Sequence, residues 1–489
     1  MSVRHYVLFS TDGFINSPSS SSLSDNSTDR KNLYVFGFVG GLFRVDSTII
    51  NSNLNWQNPH NWSDYQNLKG TASIPSPLIW GEVDDDILIT LINLGMKYRP
   101  DLRNYHTIHI HGAHVSTQID GFPETSFGVP VWEKLKECPP AITYYYKPMG
   151  SGTCMYHCQV EASEHIQMGM YGALIVYPSM KSLNEAGIKK NKSGRWCFNG
   201  TEQSHIPFTA TNRNFAYENV STYFDKEYTM LLSDIDSTWH ESVFNNSSFN
   251  AINYKSDYWL INGRSFPDTL YPHPLTSKAG EANYESYVHV KTGEKFLLRM
   301  INMGYQVVPW YVHGWPFLVA GKDAVLNSIL KLKSHLNIKN TANEIGEMGC
   351  TVSIASGQTY DLIISSDDKR EEYKNYITKG FSGVPYLYSQ LKSLSQEDSS
   401  AIFNIPTEPL KCQKPTLTNY LQIYSQGSND VNDKLFPQFY PMHNHDGYKV
   451  TNNGIYPGGQ LAFIQVDAPD KLEEVIKNKR KKRDDYEFF

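Results

Sequence analysis

The chain has no apolar run of about 18 residues, the length a membrane-crossing helix needs, so no transmembrane span is expected. Its first residues, MSVRHYVLFSTDGF, turn polar too soon to read as a convincing signal peptide. Cysteine is scarce. Six residues (Cys138, Cys154, Cys158, Cys197, Cys350 and Cys412) in 489 exclude a disulfide scaffold, leaving room for one or two bridges, Cys138 with Cys154 or Cys350 with Cys412. Neither charge sign dominates: a net −6 is spread along the chain, so no nucleic-acid partner is expected. Glycosylation triplets beginning at Asn26, Asn61, Asn191, Asn199, Asn219, Asn245 and Asn246 lean weakly towards an extracellular location and leave the compartment undecided.

What the chain does have is strand chemistry. Tyr 32, Gly 33 and Pro 25, with short Val/Ile/Tyr/Thr runs between turn residues, point to an all-β fold. The length suggests more than one domain. A weak internal repeat supplies the division: GEVDDDILITLINLG (81–95) aligns with GEKFLLRMINMG (293–304), each an alternating strand closed by Asn-x-Gly. A His-bearing strand follows each, HTIHIHG at 106–112 and VPWYVHG at 308–314. Both halves close alike, with MYHCQ (155–159) before GMYGALIVYP and PMHNH (441–445) before GGQLAFIQVD. Two Greek-key β-sandwich domains account for this, at 33–180 and 225–470. Residues 1–32, which include the Ser-rich stretch 16–32, are expected to be a disordered lead-in. Residues 181–224 read as a linker, 366–435 as an insertion and 471–489 as a charged, solvated tail.

Four short segments carry ligand-type residues at alternate positions: His109-x-His111, His157-x-Gln159, Tyr311-x-His313 and His443-x-His445. On a strand, such positions share a face, so each unit presents two side chains to one centre. One His-x-His pair is more often a hydrogen-bonded core pair than a metal site; four at matching places in two repeats are hard to explain that way. A second set adds a thiolate and a thioether: Cys158, His165 and Met170, with His106 three residues before His109. His₂Cys with Met is the donor choice of a blue-copper electron-transfer site. Taken singly, Cys158 and Met170 would pass as core fillers.

With these residues in place, the chain resembles the multicopper oxidase family over most of its length. HTIHIHG resembles the family's His-Pro-x-His-Leu-His-Gly segment. GTCMYHCQVEASEHIQMGMYG resembles its His-Cys-His segment, with a longer Cys-to-His gap. INMGYQVVPWYVHGWPF and YPMHNHDGYKVTNNGIYPGG are similar to its remaining His-x-His segments, and DGFPETSFGVP and NGRSFPDT are weaker likenesses. The resemblance implies a cupredoxin fold and a copper-dependent, laccase-like oxidoreductase. His106, Cys158, His165 and Met170 would bind a type 1 copper. His109, His111, His157, His313, His443 and His445 would line a type 2/type 3 copper cluster reducing dioxygen. A small-molecule or metal-ion reductant is implied, and a homotrimer by similarity to two-domain members of the family.

The chain departs from the family pattern at two cluster positions, Gln159 and Tyr311, where the family has His. Val308 stands at the second half's type 1 His position. Three functions stay open on the sequence: an oxygen-dependent oxidase, a nitrite-reductase-like enzyme using His111, His157 and a neighbour's His, and an electron carrier with a degenerate cluster. Phenols, amines, Fe(II) and Mn(II) are equally admissible substrates, with Asp84–Asp86 or Glu161 and Glu164 as docking carboxylates for a metal ion. His114 and the remaining histidines receive no role.

Overall fold

The computed structural model describes residues 1–19, 30–271, 283–330, 348–369, 438–467 and 469. The strands of the first half are β1 (Val3–Pro18), β2 (Arg30–Val45), β3 (Ile79–Glu82), β4 (Asp86–Asn93), β5 (His109–His111), β6 (Ala141–Tyr146), β7 (Gly152–His157) and β8 (Tyr171–Tyr177). They form two sheets, ordered β2-β1-β4-β6 and β3-β8-β7-β5. Tyr6, Leu8, Phe36, Ile87, Ile89, Tyr156, Leu174 and Val176 fill the core between the sheets.

The second half repeats this order. Its strands are β9 (Lys226–Ile235), β10 (Tyr258–Ile261), β11 (Val288–Lys291), β12 (Lys295–Asn302), β13 (Val308–Val312), β14 (Phe317–Lys322), β15 (Thr351–Ile354), β16 (Thr359–Ser365), β17 (Gln438–Asn444) and β18 (Leu461–Asp467). Their sheets run β10-β9-β12-β16-β14 and β11-β18-β17-β13-β15. Even the strand directions match. β1 lies parallel to β4 as β9 does to β12, and β3 parallel to β8 as β11 does to β18. The sequence repeat is thus a structural one, with two all-β sandwiches sharing one plan.

Three expectations need correction. Residues 3–18 are not a disordered lead-in: they form β1, buried along most of its length, and only 20–29 of that stretch lie outside the described residues. β1 is the partner that β4 requires, and the polar run after it masks its apolar character. Residues 181–224 are not a bare linker. A helix (Met180–Glu185) and a small three-stranded sheet enclose their own core of Leu183, Ile188, Trp196, Ile206 and Phe215. Cys138 and Cys154 do not pair; the first is exposed and the second buried. Cys412, most of the 366–435 stretch and the 471–489 tail lie outside the described residues.

The halves are joined by a mixed interface. Met155, Tyr171 and Ile175 pack with Leu231, Leu260 and Ile301. Beside them, Thr153, Asp361, Tyr217, Arg299 and Glu227 form a buried polar cluster. Both features grip β7, the strand that leads into the metal-type ligands.

Candidate metal centres

β5 and β7 are antiparallel neighbours, and their register sets His109 directly opposite His157. At the chain level this is why His-x-His is useful here: His109 and His111 leave β5 on one side and meet His157 at the end of β7. The donor nitrogens of His109, His111 and His157 all lie within 4.8 Å of one another. Cys158 then turns the other way. Its Sγ lies 3.6 Å from His106 Nδ1 and 3.4 Å from His165 Nδ1, and all three side chains are buried. His106 is fixed by backbone bonds to Val129 in both directions.

His165 sits on α1 (Ala162–Met168), which the longer Cys-to-His gap creates. The turn into it uses Glu161 at φ +43, an uncommon left-handed setting for a side-chain-bearing residue. It ends at Gly169, φ +113, where an added Cβ would sit 2.5 Å from Ile74 Cγ1 and 3.0 Å from Phe36 O. Only glycine suits that corner. Beyond it, the Met170 N–H donates to His165 O and Cys158 N–H donates to Met170 O, so the buried Met170 is tied to both ligands through the backbone.

The second half places its set by the same register. Tyr311 faces His443 across β13 and β17, the place His109 takes against His157. Rings of Tyr311 and His313 are 4.5 Å apart, and those of His443 and His445 5.6 Å. His313 Nε2 and His443 Nε2 lie 3.1 Å apart. Among the described residues, no second-half histidine lines the cavity at His109, His111 and His157. One chain therefore holds two separated sets rather than a single eight-residue cluster. Gln159 does reach the first: it lines that cavity, of about 380 Å³, with Phe122, Met155, Met303 and Tyr305.

Several contributors were invisible in the sequence. Asp120 supplies only its carbonyl, which accepts from His109 Nδ1 at 2.8 Å. Asn104 Nδ2 lies 3.3 Å and Glu161 Oε2 3.6 Å from His165 Nε2. Asn104 is remote from His165 in sequence, so no spacing rule finds it, whereas Glu161 stands four residues before His165 and is already a docking candidate. Of the acidic docking candidates, Glu161 is at the site, whereas Asp84 is paired with Lys181 at 2.8 Å and Asp86 accepts from Tyr145. His114 is exposed and outside both groups.

The electrostatics suit metal ligation. Burial holds the imidazoles of His157 and His165 down to about 4, and that of His106 well below its ordinary value, so all three are neutral donors at pH 7. Burial pushes the Cys158 thiol up to about 11, so it stays protonated until a cation takes the proton's place. Three buried donors of this kind within 4.8 Å, with the buried Met170 tied to them through the backbone, fit a blue-copper ion.

A pH dependence follows for the metal-free protein. His5, His205 and His240 are also lowered to about 4 by burial, against 6.5 when unfolded. Between those values the unfolded chain binds more protons, so stability falls as pH drops through that window. The raised carboxyls of Asp234, Asp257 and Glu164 act in the opposite sense and are outnumbered once the site histidines are added. Chelated protein should unfold at lower denaturant at pH 5 than at pH 7; an equal or higher midpoint at pH 5 contradicts this.

Residues 71–181 match the family model described as multicopper oxidase. No curated protein matches the chain. Among solved structures, the multicopper oxidase mgLAC is similar, with 18% identity over 96% of this chain and 88% of that one and a TM-score of 0.50. A blue copper oxidase from Nitrosomonas europaea shows 20% identity over 97% and 87%, TM-score 0.49. The copper nitrite reductase of the same organism shows 12% identity over 95% and 94%, TM-score 0.44. The likeness to mgLAC shows the fold, that of the cupredoxin type. The matched segment holds His106, His109, His111, His157, Cys158, His165 and Met170.

Proposed function

We propose that this protein is a copper-dependent oxidoreductase that takes electrons singly from a small-molecule or metal-ion reductant and passes them to dioxygen. One observation carries the reading: Cys158 of the first donor set and His157 of the second are consecutive residues, so the two sets are covalently joined. Copper held by His106, Cys158, His165 and Met170 would supply reversible one-electron chemistry. The remaining work belongs to the chain. His165 is buried, but its Nε2 turns towards the exposed Glu161 carboxylate, where a cationic reductant such as Fe(II) would first be met. Asp120 and the Cys158 carbonyl orient His109 and His157 towards the acceptor cavity.

The proposal includes a homotrimer; light scattering of the purified protein tests it. A second acceptor, nitrite, is favoured by the compact three-imidazole group, which suits a single catalytic metal. Oxygen uptake by copper-loaded protein with Fe(II) and with a phenol, run beside nitrite consumption, decides between the two. The oxidase reading fails if neither reductant drives oxygen uptake.

A further inference from the structure

An oxygen-reducing cluster of the family type needs eight imidazoles, and this chain supplies six. The structure shows where the loss falls. Tyr311 holds the register place of His109, and Gln159 stands in the wall of the first-half cavity. A neutral phenol and a neutral amide are poor ligands for a copper ion that must change charge. The residues present do not fit a three-metal cluster.

They do fit something smaller. His109, His111 and His157 bring three nitrogens within 4.8 Å without help from another copy. His109 Nδ1 and His157 Nδ1 lie 2.8 and 3.1 Å from the carbonyl oxygens of Asp120 and Cys158. Each ring donates its N–H there, leaving Nε2 as the free lone pair. The open side is the cavity of about 380 Å³, whose wall includes this chain's own second half through Met303, Tyr305, Ser356 and Gly357. Three protein donors and one open position make a centre built for an exogenous ligand rather than a structural one.

We propose that His109, His111 and His157 hold one copper(II) ion in each chain as a self-contained three-imidazole centre. Its fourth position opens on the cavity and takes a small oxygen- or nitrogen-containing ligand hydrogen-bonded by Gln159. This rests on the reading above for the Cys158–His157 link and departs from it in metal count. Among the described residues, the His313/His443/His445 set forms no three-donor group.

The test is copper analysis with quantitative electron paramagnetic resonance on the full-length, copper-loaded protein, using azide as the ligand probe. The expected result is about two coppers per chain, both detectable, one blue and one ordinary, from the two donor groups. Azide should perturb the ordinary signal alone. Gln159→Ala should weaken azide binding roughly fivefold, the worth of one neutral hydrogen bond. His111→Ala, at an exposed position, should remove the ordinary signal and keep the blue one. About four coppers per chain with half of them silent would restore the shared cluster and overturn the proposal, as would a single blue copper. Two detectable coppers without oxygen or nitrite turnover would sink the proposed function and leave this centre standing.

Discussion

Replacing Cys158 by serine is expected to remove the intense blue absorption of the copper-loaded protein completely and to stop reductant-driven turnover. The colour of a thiolate–copper site comes from charge transfer out of sulfur, and a serine hydroxyl is a hard donor with no comparable electrons to give. Cys158 is also the residue through which the two donor sets are joined. The fold should survive the change. The sulfur's polar neighbours are His106, His165, Thr107 and the Val160 carbonyl, and serine is close to cysteine in volume. Far-ultraviolet circular dichroism should therefore match the parent. A serine variant that keeps the blue band would show that Cys158 is not the sulfur ligand.

The largest stability effect is expected at Arg299. Its side chain is fully buried; Nε lies 2.7 Å from Glu227 Oε2, and Nη1 lies 3.5 Å from Asp361 Oδ1 and 3.1 Å from Thr153 Oγ1. Thr153 and the Tyr217 hydroxyl each donate to Asp361 at 2.6 Å. Arg299→Met keeps most of the volume and removes the only cation facing two carboxylates in these contacts. Breaking a buried pair from one side costs about 3–5 kcal/mol, because the surviving charge stays out of water. The guanidinium midpoint at pH 7 measures it. A loss below about 1 kcal/mol would mean that the cluster contributes no more than an exposed ion pair. Since Thr153 belongs to β7, copper affinity should fall along with stability.

Much of the site could be read from the sequence because its logic is local. The alternate spacing of His109 and His111, or of His443 and His445, fixes a shared face wherever a strand forms, and strand-forming residues surround both pairs. The matched Asn-x-Gly strands likewise announced two copies of one sandwich, and sheet order and direction agree. β1 escaped notice for a physical reason. It is covered on both faces, so it shows no alternation, and the Ser-rich run after it dominates the composition of the segment. The 181–224 unit escaped because its apolar residues are irregularly spaced and only their packing around Trp196 reveals a core. Asn104 reaches His165 from a distant point in the chain, and Asp120 acts through its backbone. Side-chain type carries no signal of either.

The position of β7 has one further consequence. Every residue of this strand is buried, its early part is locked into the second half through Thr153, and its end delivers His157 and Cys158. Ligands carried on so braced a strand cannot shift far when the charge on a bound ion changes. For the copper proposed here, the rearrangement cost of gaining or losing an electron would then be small, and the transfer fast even at a slight driving force.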